Sequence, residues 1–241
     1  MGIFHFNYMN GKVIIVTAAS RGIGRACAIR LAEQGCKLSL MSRSGQVGEV
    51  LPGSESQVTI GDVGKLEDLE KLVAHTMSKF GKVDGVVNNT GHTAKGDLIS
   101  ISDQEWQRAF ENIFLNIVRM ARLITPIIIR QGAGSIVNIS SFAAKEPSLE
   151  FPTSSVIRAT LSNYAKLFAT RYGHGKIRMN NVLPGFVDSH PVDSDIIKTI
   201  PMGRPAKTGE IANLVAFLIS DESSYINGQS IVIDGGLNKS L

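Results

Sequence analysis

Between residues 17 and 24 the chain reads Thr17-Ala-Ala-Ser-Arg-Gly-Ile-Gly24, and small residues in this arrangement let backbone N–H groups close round an anion. Gly22 and Gly24 hold no side chain between the backbone and a ligand, and a helix opening there adds the partial positive charge of its N-terminus. Ahead of the turn, Val13-Ile-Ile-Val16 is the unbroken branched apolar run of a buried parallel strand. Behind it, Arg25 to Gly35 has the pattern of an amphipathic helix. A strand, a tight turn and a helix in this order can hold a pyrophosphate. One position dissents, because Ala18 stands where such turns usually carry their first glycine. Alone, the pattern also fits an ordinary, tightly packed strand-turn-helix.

The elements that must position this turn follow along the chain. Strand-like runs at 13–16, 37–41, 58–60, 83–87, 135–139, 178–183 and 230–233 alternate with helical stretches near 22–34, 65–79, 103–131, 154–173 and 208–219. This alternation predicts an α/β fold, a doubly wound seven-stranded parallel sheet with helices on both faces. The 241 residues suit one such domain, 1–241, and no Pro-, Gly- or Ser-rich linker divides them. Ser102-Asp-Gln-Glu105 reads as a capping box, and Glu210 places an acid in the first turn of its helix. In an open sheet ligands bind beyond the carboxyl ends of the strands, so the residues that follow strands are the informative ones.

Composition excludes several classes. Hydrophobic residues make up 43% and charged residues 19%, the balance of a folded globular protein. The net charge is +4, and the lysines and arginines are scattered. The electrostatic footprint of a nucleic-acid binder is therefore missing, while mild positivity suits an anionic cofactor. No apolar stretch is expected to approach the length of a membrane span and the first residues lack a signal pattern, so the expectation is a cytoplasmic protein without a membrane partner. Cys27 and Cys36 are expected to be reduced, packed thiols, and no metal-ligating cluster is expected.

Further motifs follow the strands. Asp62-Val63 comes after the third and Asn88-Asn-Thr-Gly91 after the fourth; the fifth ends in Ile136-Val-Asn-Ile-Ser-Ser141, the sixth in Asn181-Val-Leu-Pro-Gly-Phe-Val-Asp-Ser189, and the last in Ile231-Val-Ile-Asp-Gly-Gly236. Together with the turn, and over nearly the whole chain, these motifs resemble the short-chain dehydrogenase/reductase family, in its classical branch near the 3-oxoacyl-carrier-protein reductases. The resemblance implies that Ala18, Ser20, Arg21 and Ile23 cradle the pyrophosphate and that Asp62 and Val63 contact the adenine. It further implies that Asn89 and Gly91 lie by the riboses and that Val187 and Ser189 engage the carboxamide. Ser189 replaces the usual threonine and keeps a hydroxyl. A carboxylate at the end of the second strand would accept the 2′-hydroxyl of NAD and repel a 2′-phosphate. Ser42 occupies that place, Arg43 follows it and Arg21 sits in the turn, so the expected cofactor is NADP(H).

The family's catalytic pattern is a serine ending the fifth strand, a tyrosine thirteen residues on and a lysine four further. Here Ser141 fits the first place, but Ser154 and Arg158 fill the other two. Tyr164 offers no rescue, since Phe168 stands at its lysine spacing. The relay asparagine, seven residues after Trp106, is Ile113, and Asn112 comes one residue early, a rotation of about 100° on a helix. Serine is a far weaker acid than tyrosine, and arginine stays protonated. Ser141, Ser154 and Arg158 can still hydrogen-bond a developing oxyanion, and Arg158 can hold the nicotinamide ribose. His92, His190 and Lys145 stand at loop positions from which each is a candidate proton donor.

Two functions remain open on the sequence. One is an NADP-dependent oxidoreductase moving hydride between nicotinamide and a small carbonyl compound or secondary alcohol. The other is a dinucleotide-binding sensor, scaffold or partner subunit with little or no turnover. The resemblance implies that residues 190–200 form a short substrate lid and that the chain assembles into a homotetramer.

Overall fold

The computed structural model describes residues 9–47, 50, 52–91 and 93–240. Seven strands run parallel: β1 (Val13–Val16), β2 (Lys37–Ser42), β3 (Ser56–Ile60), β4 (Gly85–Asn88), β5 (Gly134–Ile139), β6 (Ile177–Pro184) and β7 (Ser230–Ile233). Their order, β3-β2-β1-β4-β5-β6-β7, reverses direction between β1 and β4, and a crevice for a ligand opens at such a switch point. Helices α1 (Gly22–Glu33) and α7 (Thr208–Ile219) cover one face. The other face is covered by α2 (Leu66–Phe80), α4 (Asn116–Gln131) and α5 (Pro152–Tyr172), while α3 (Asp103–Phe110) leads into α4 and α6 (Ser194–Thr199) is a short helix after β6.

The two layers follow from strand alternation. Ile14 and Val16 face Cys27, Ala28, Leu31 and Val215, whereas Ile15 faces Leu69, Leu72, Met120 and Ile124. Each fully buried branched side chain of this kind contributes about 1.5–3 kcal/mol. Cys27 and Cys36 are free and buried, and burial pushes both thiols up to about 12, so they pack as small hydrophobes.

Helix starts obey local chemistry. Ser102 Oγ accepts from the Glu105 N–H at 3.3 Å and Glu105 Oε2 accepts from the Ser102 N–H at 3.0 Å, the expected capping box. Helix α5 starts at Pro152, two residues before the expected 154, because a proline at the first helical position gives up no hydrogen bond. Within 190–200, read as a bare segment, Asp193 caps α6 by accepting from the Asp195 N–H at 2.7 Å. The expected single helix over 103–131 is interrupted by a π turn, Glu111–Leu115. That whole stretch, Asp103–Gln131, is long and apolar enough to cross a membrane, which corrects the expectation that none approaches such a length. Half of its most apolar window is buried, and Ile117, Met120, Ile124 and Ile128 spend their apolarity on the core.

Three asparagines cross the sheet side by side. Asn88 pairs in register with Asn138, and Asn138 with Asn181. Asn88 Nδ2 donates to Asn138 Oδ1 at 2.9 Å, Asn138 Nδ2 donates to Asn181 Oδ1 at 2.9 Å, and Asn181 Nδ2 donates to the Leu161 carbonyl at 3.1 Å and to Ser230 Oγ at 3.0 Å. This buried ladder ties β4, β5, β6 and β7 to the middle of α5 at the carboxyl edge of the sheet. Replacing Asn138 with alanine strands a donor and an acceptor in the core, each costing about 1–3 kcal/mol. Urea unfolding of Asn138→Ala is therefore expected to show a loss of about 2–4 kcal/mol. A loss under about 1 kcal/mol would mean the ladder is dispensable.

Candidate functional site

The turn after β1 is built from backbone conformations that suit small residues. Ala18 has φ +48° and Gly22 has φ +56°, both left-handed, and Arg21 is the N-cap of α1. A side chain on Gly24 would collide with the Ala18 carbonyl and with Asn89 Nδ2, and one on Gly22 would sit 3.3 Å from Ser189 Cβ. Thr17 locks this turn to the end of β4: its Oγ1 donates to the Asn89 carbonyl at 2.7 Å and accepts from the Asn89 N–H at 2.8 Å. The turn, Asn89 and Ser189 therefore converge, although they are far apart in sequence. Ser20 is half-buried, Ile23 packs on the core below α1, and Gly91 is exposed with open space around it.

At the end of β2, Ser42 is buried and its hydroxyl has no partner among the described residues, while Arg43 and Arg21 are exposed. Neither arginine forms an ion pair among the described residues. After β3, Asp62 Oδ1 accepts from the Gly64 N–H at 2.9 Å, Val63 packs on the core, and Arg119 Nη1 holds the Gly64 carbonyl at 2.6 Å. Val187 bridges to Ala206, and Asp188 Oδ1 accepts from the Thr208 N–H at 2.9 Å, which fastens the Ser189 loop to α7.

The other end of the crevice holds the hydroxyls and the guanidinium. Ser141 leaves β5 and accepts from the Ala143 N–H at 3.2 Å, so its own O–H stays available. Arg158 donates from Nε to Ser154 Oγ at 2.9 Å and from Nη1 to the Ile139 carbonyl at 2.7 Å, joining α5 to the end of the strand that carries Ser141. It is 8% exposed, and burial pushes its guanidinium down to about 10. Ser154 and Arg158 line a small cavity of about 30 Å3 with Thr93, Ala94, Lys95 and Phe151. Phe142, Phe151 and Phe186 pack against one another beside it, with ring centroids 5.5–6.4 Å apart.

The family model described as enoyl-(acyl carrier protein) reductase matches residues 17–238. The chain belongs to the short-chain dehydrogenase/reductase family. It is 32% identical to dehydrogenase/reductase SDR family member 4 of Caenorhabditis elegans, over 96% of the chain and 96% of that relative. To the 3-oxoacyl-(acyl-carrier-protein) reductase of Staphylococcus aureus it is 31% identical, over 94% of the chain and 98% of the relative. It superposes on L-sorbose reductase from Gluconobacter frateurii, solved with NADPH and L-sorbose, with a TM-score of 0.88 at 28% identity, covering 97% and 98% of the two chains. An NADPH-dependent reductase involved in bacilysin biosynthesis superposes with a TM-score of 0.89 at 26% identity, covering 96% and 100%.

In this short-chain dehydrogenase/reductase the π turn contains Asn112. The Asn116 backbone N–H reaches the Glu111 carbonyl, five residues back, and the Asn116 side-chain amide takes up the Asn112 carbonyl left over. Ile113 is buried against Ala109, Ile157 and Leu161, whereas Asn112 lines a second cavity of about 240 Å3 that shares Thr93 and Ala94 with the first. The Asn112 carboxamide oxygen lies beside Gly64, and none of Ser141, Ser154 and Arg158 lines the second cavity. Tyr164 packs on Phe114 and Phe168, burial raises its phenol, and it lines neither cavity. His190 and Lys145 are exposed and line neither cavity, and His92 lies outside the described residues. Thr93 and Lys95 were missed by the sequence reading, although their place directly after β4 was signal enough.

Two expectations follow. Ala18→Gly relieves a left-handed alanine costing about 1–2 kcal/mol against a glycine entropy cost of about 0.5–1 kcal/mol, so Tm should rise by roughly 1–4 °C. A fall in Tm would refute the strain. Because burial lowers the Arg158 pKa in the folded state to about 10, its buried charge costs stability below pH 10, and that cost fades as pH rises from there towards the ordinary arginine value. Arg158→Met is therefore expected to keep Tm within a few degrees of the parent or to raise it, while impairing ligand binding. A large fall in Tm would make Arg158 a structural residue instead.

Proposed function

We propose that the protein is an NADP(H)-dependent reductase of carbonyl compounds, similar to the 3-oxoacyl reductases, working in reverse on secondary alcohols. The observation that carries the reading is the Arg158 to Ser154 hydrogen bond at the lining of a cavity beyond the carboxyl ends of β4 and β5. The residues present suit a dinucleotide: the turn has no room for a side chain at Gly24, and an exposed Arg43, in no ion pair among the described residues, directly follows a buried Ser42 where an acid would exclude a 2′-phosphate. Ala18, Ser20, Arg21 and Ile23 hold the pyrophosphate, Arg43 the 2′-phosphate, Asp62 and Val63 the adenine, Asn89, Gly91 and Arg158 the riboses, and Val187 and Ser189 the carboxamide. NADPH in the solved complex of L-sorbose reductase supports this choice of cofactor.

A bound reduced nicotinamide supplies the hydride. Ser154, already accepting from Arg158, turns its O–H towards the substrate oxygen, and Ser141 offers a second hydroxyl. Arg158 keeps its proton at neutral pH, so it stabilises the oxyanion by charge, and water provides the proton that completes the alcohol. Losing a tuned general acid costs about 10²–10⁴ in rate, so turnover is slow compared with tyrosine-bearing relatives. Residues 190–200 close over the substrate. The whole chain acts as one dinucleotide-binding domain, and exposed Phe110, Ile129, Val156 and Leu167 on α3, α4 and α5 support assembly into a homotetramer.

One observation favours the binding-only reading. Among the described residues no tyrosine lines either cavity, so no phenol is available to donate a proton. Fluorescence titration with NADPH, beside NADPH oxidation with ketones, aldehydes and 3-oxoacyl thioesters, separates the two. Binding without turnover selects the sensor or scaffold, and absence of binding removes both. In the reductase, Ser154→Ala lowers kcat by about 10²–10³. Arg43→Glu weakens NADPH binding by about 10–100-fold and spares NADH, and an equal loss for both cofactors would refute the 2′-phosphate assignment.

A further inference from the structure

The small cavity holds two cations and no acid. Beyond its bonds to Ser154 and Ile139, the guanidinium of Arg158 has no acceptor for its remaining N–H groups among the described residues, and it is 8% exposed. Lys95, exposed on the loop after β4, lines the rim of this space with Nζ 4.6 Å from the Phe151 ring centroid, and it forms no ion pair among the described residues. Helix α5 opens at the same place with no acid in its first turn, so its positive end adds to both charges. Like charges gathered round a small, part-buried space are costly until an anion joins them. The oxyanion and the ribose account for the Arg158 charge, and the second cation, Lys95, is the one they leave without a role.

We infer that the substrate carries a free carboxylate close to its reacting carbonyl, held by Arg158 and Lys95. The substrate class is a short 2-oxo or 3-oxo acid. A carboxylate matches the guanidinium fork, and the cavity of about 30 Å3 admits a head group and nothing larger. The body of the substrate extends past Thr93 and Ala94 into the adjoining cavity of about 240 Å3, whose wall pairs one cation, Arg108, with one acid, Glu105, beside Asn112 and so favours an uncharged body. The inference rests on the reading as an NADP(H)-dependent reductase and narrows what that reductase accepts.

The test pairs acids with their methyl esters: 2-oxo-4-phenylbutanoate and 3-oxohexanoate, each against its ester. NADPH oxidation gives kcat/KM, and the melting temperature of the protein saturated with NADP+ reports binding where turnover is slow. Each acid is expected to exceed its ester in kcat/KM by about tenfold or more, and to raise Tm where the ester does not. Lys95 is exposed, so Lys95→Met folds; it should bring the acid down towards the ester, leave NADPH affinity unchanged, and be rescued by Lys95→Arg. Esters matching acids in both readouts, with NADPH still bound, overturn the carboxylate assignment alone. Failure to bind NADPH overturns the reductase reading on which it rests.

Discussion

The asparagine ladder is the constraint on which the site depends. Asn88, Asn138 and Asn181 satisfy one another across β4, β5 and β6, and the last spare amide hydrogens go to α5 and β7. A buried amide must find its partners or forfeit its hydration, so the three strands cannot slip in register and α5 cannot slide along them. Ser141 stands at the end of β5, Ser154 and Arg158 on α5, and Asn89 directly after Asn88. Their relative places are set by the ladder before any of them acts.

Against this rigid edge, the binding residues are held in conditions that folding alone would not choose. Ala18 keeps a left-handed backbone, Ser42 and Ser140 bury hydroxyls with no partner among the described residues, and Arg158 buries a charge without a carboxylate. All of these lie along the carboxyl edge of the sheet. Arg30 and Asn238 also bury polar atoms without a partner among the described residues, and Lys176 is left-handed ahead of β6, so the edge holds several of these features without holding them all. The π turn belongs to the same group. It costs a regular helical hydrogen bond, it is repaired by the Asn116 amide, and Ile113 enters the core while Asn112 lines the second cavity.

Much of the fold was legible because buried parallel strands and amphipathic helices announce themselves by period. The first and last strands, 13–16 and 230–233, fall where the apolar runs do, and the capping box at Ser102 marks its helix start. The ends were less legible where local chemistry outweighed hydrophobic pattern, as when Pro152 begins α5 early or Asp193 starts α6 in a polar stretch. The site divided in the same way. Gly22, Gly24, Asn89 and Ser189 follow strands and could be named in advance, but that Gly22 lies against Ser189 is a contact across more than half the chain.

By itself the sequence determined the layering of helices on a parallel sheet, the anion-holding turn and the replacement of the tyrosine and lysine by Ser154 and Arg158, because each rests on residue type and short-range spacing. Only the tertiary structure decided that Arg158 is buried without an acid, that Lys95 shares its cavity, that Asn112 lines a second cavity, and that three asparagines bind the sheet edge together. These depend on burial and on partners distant along the chain. Desolvation and long-range hydrogen bonding have no signature in local sequence, and here they turn an incomplete catalytic motif into a charged crevice.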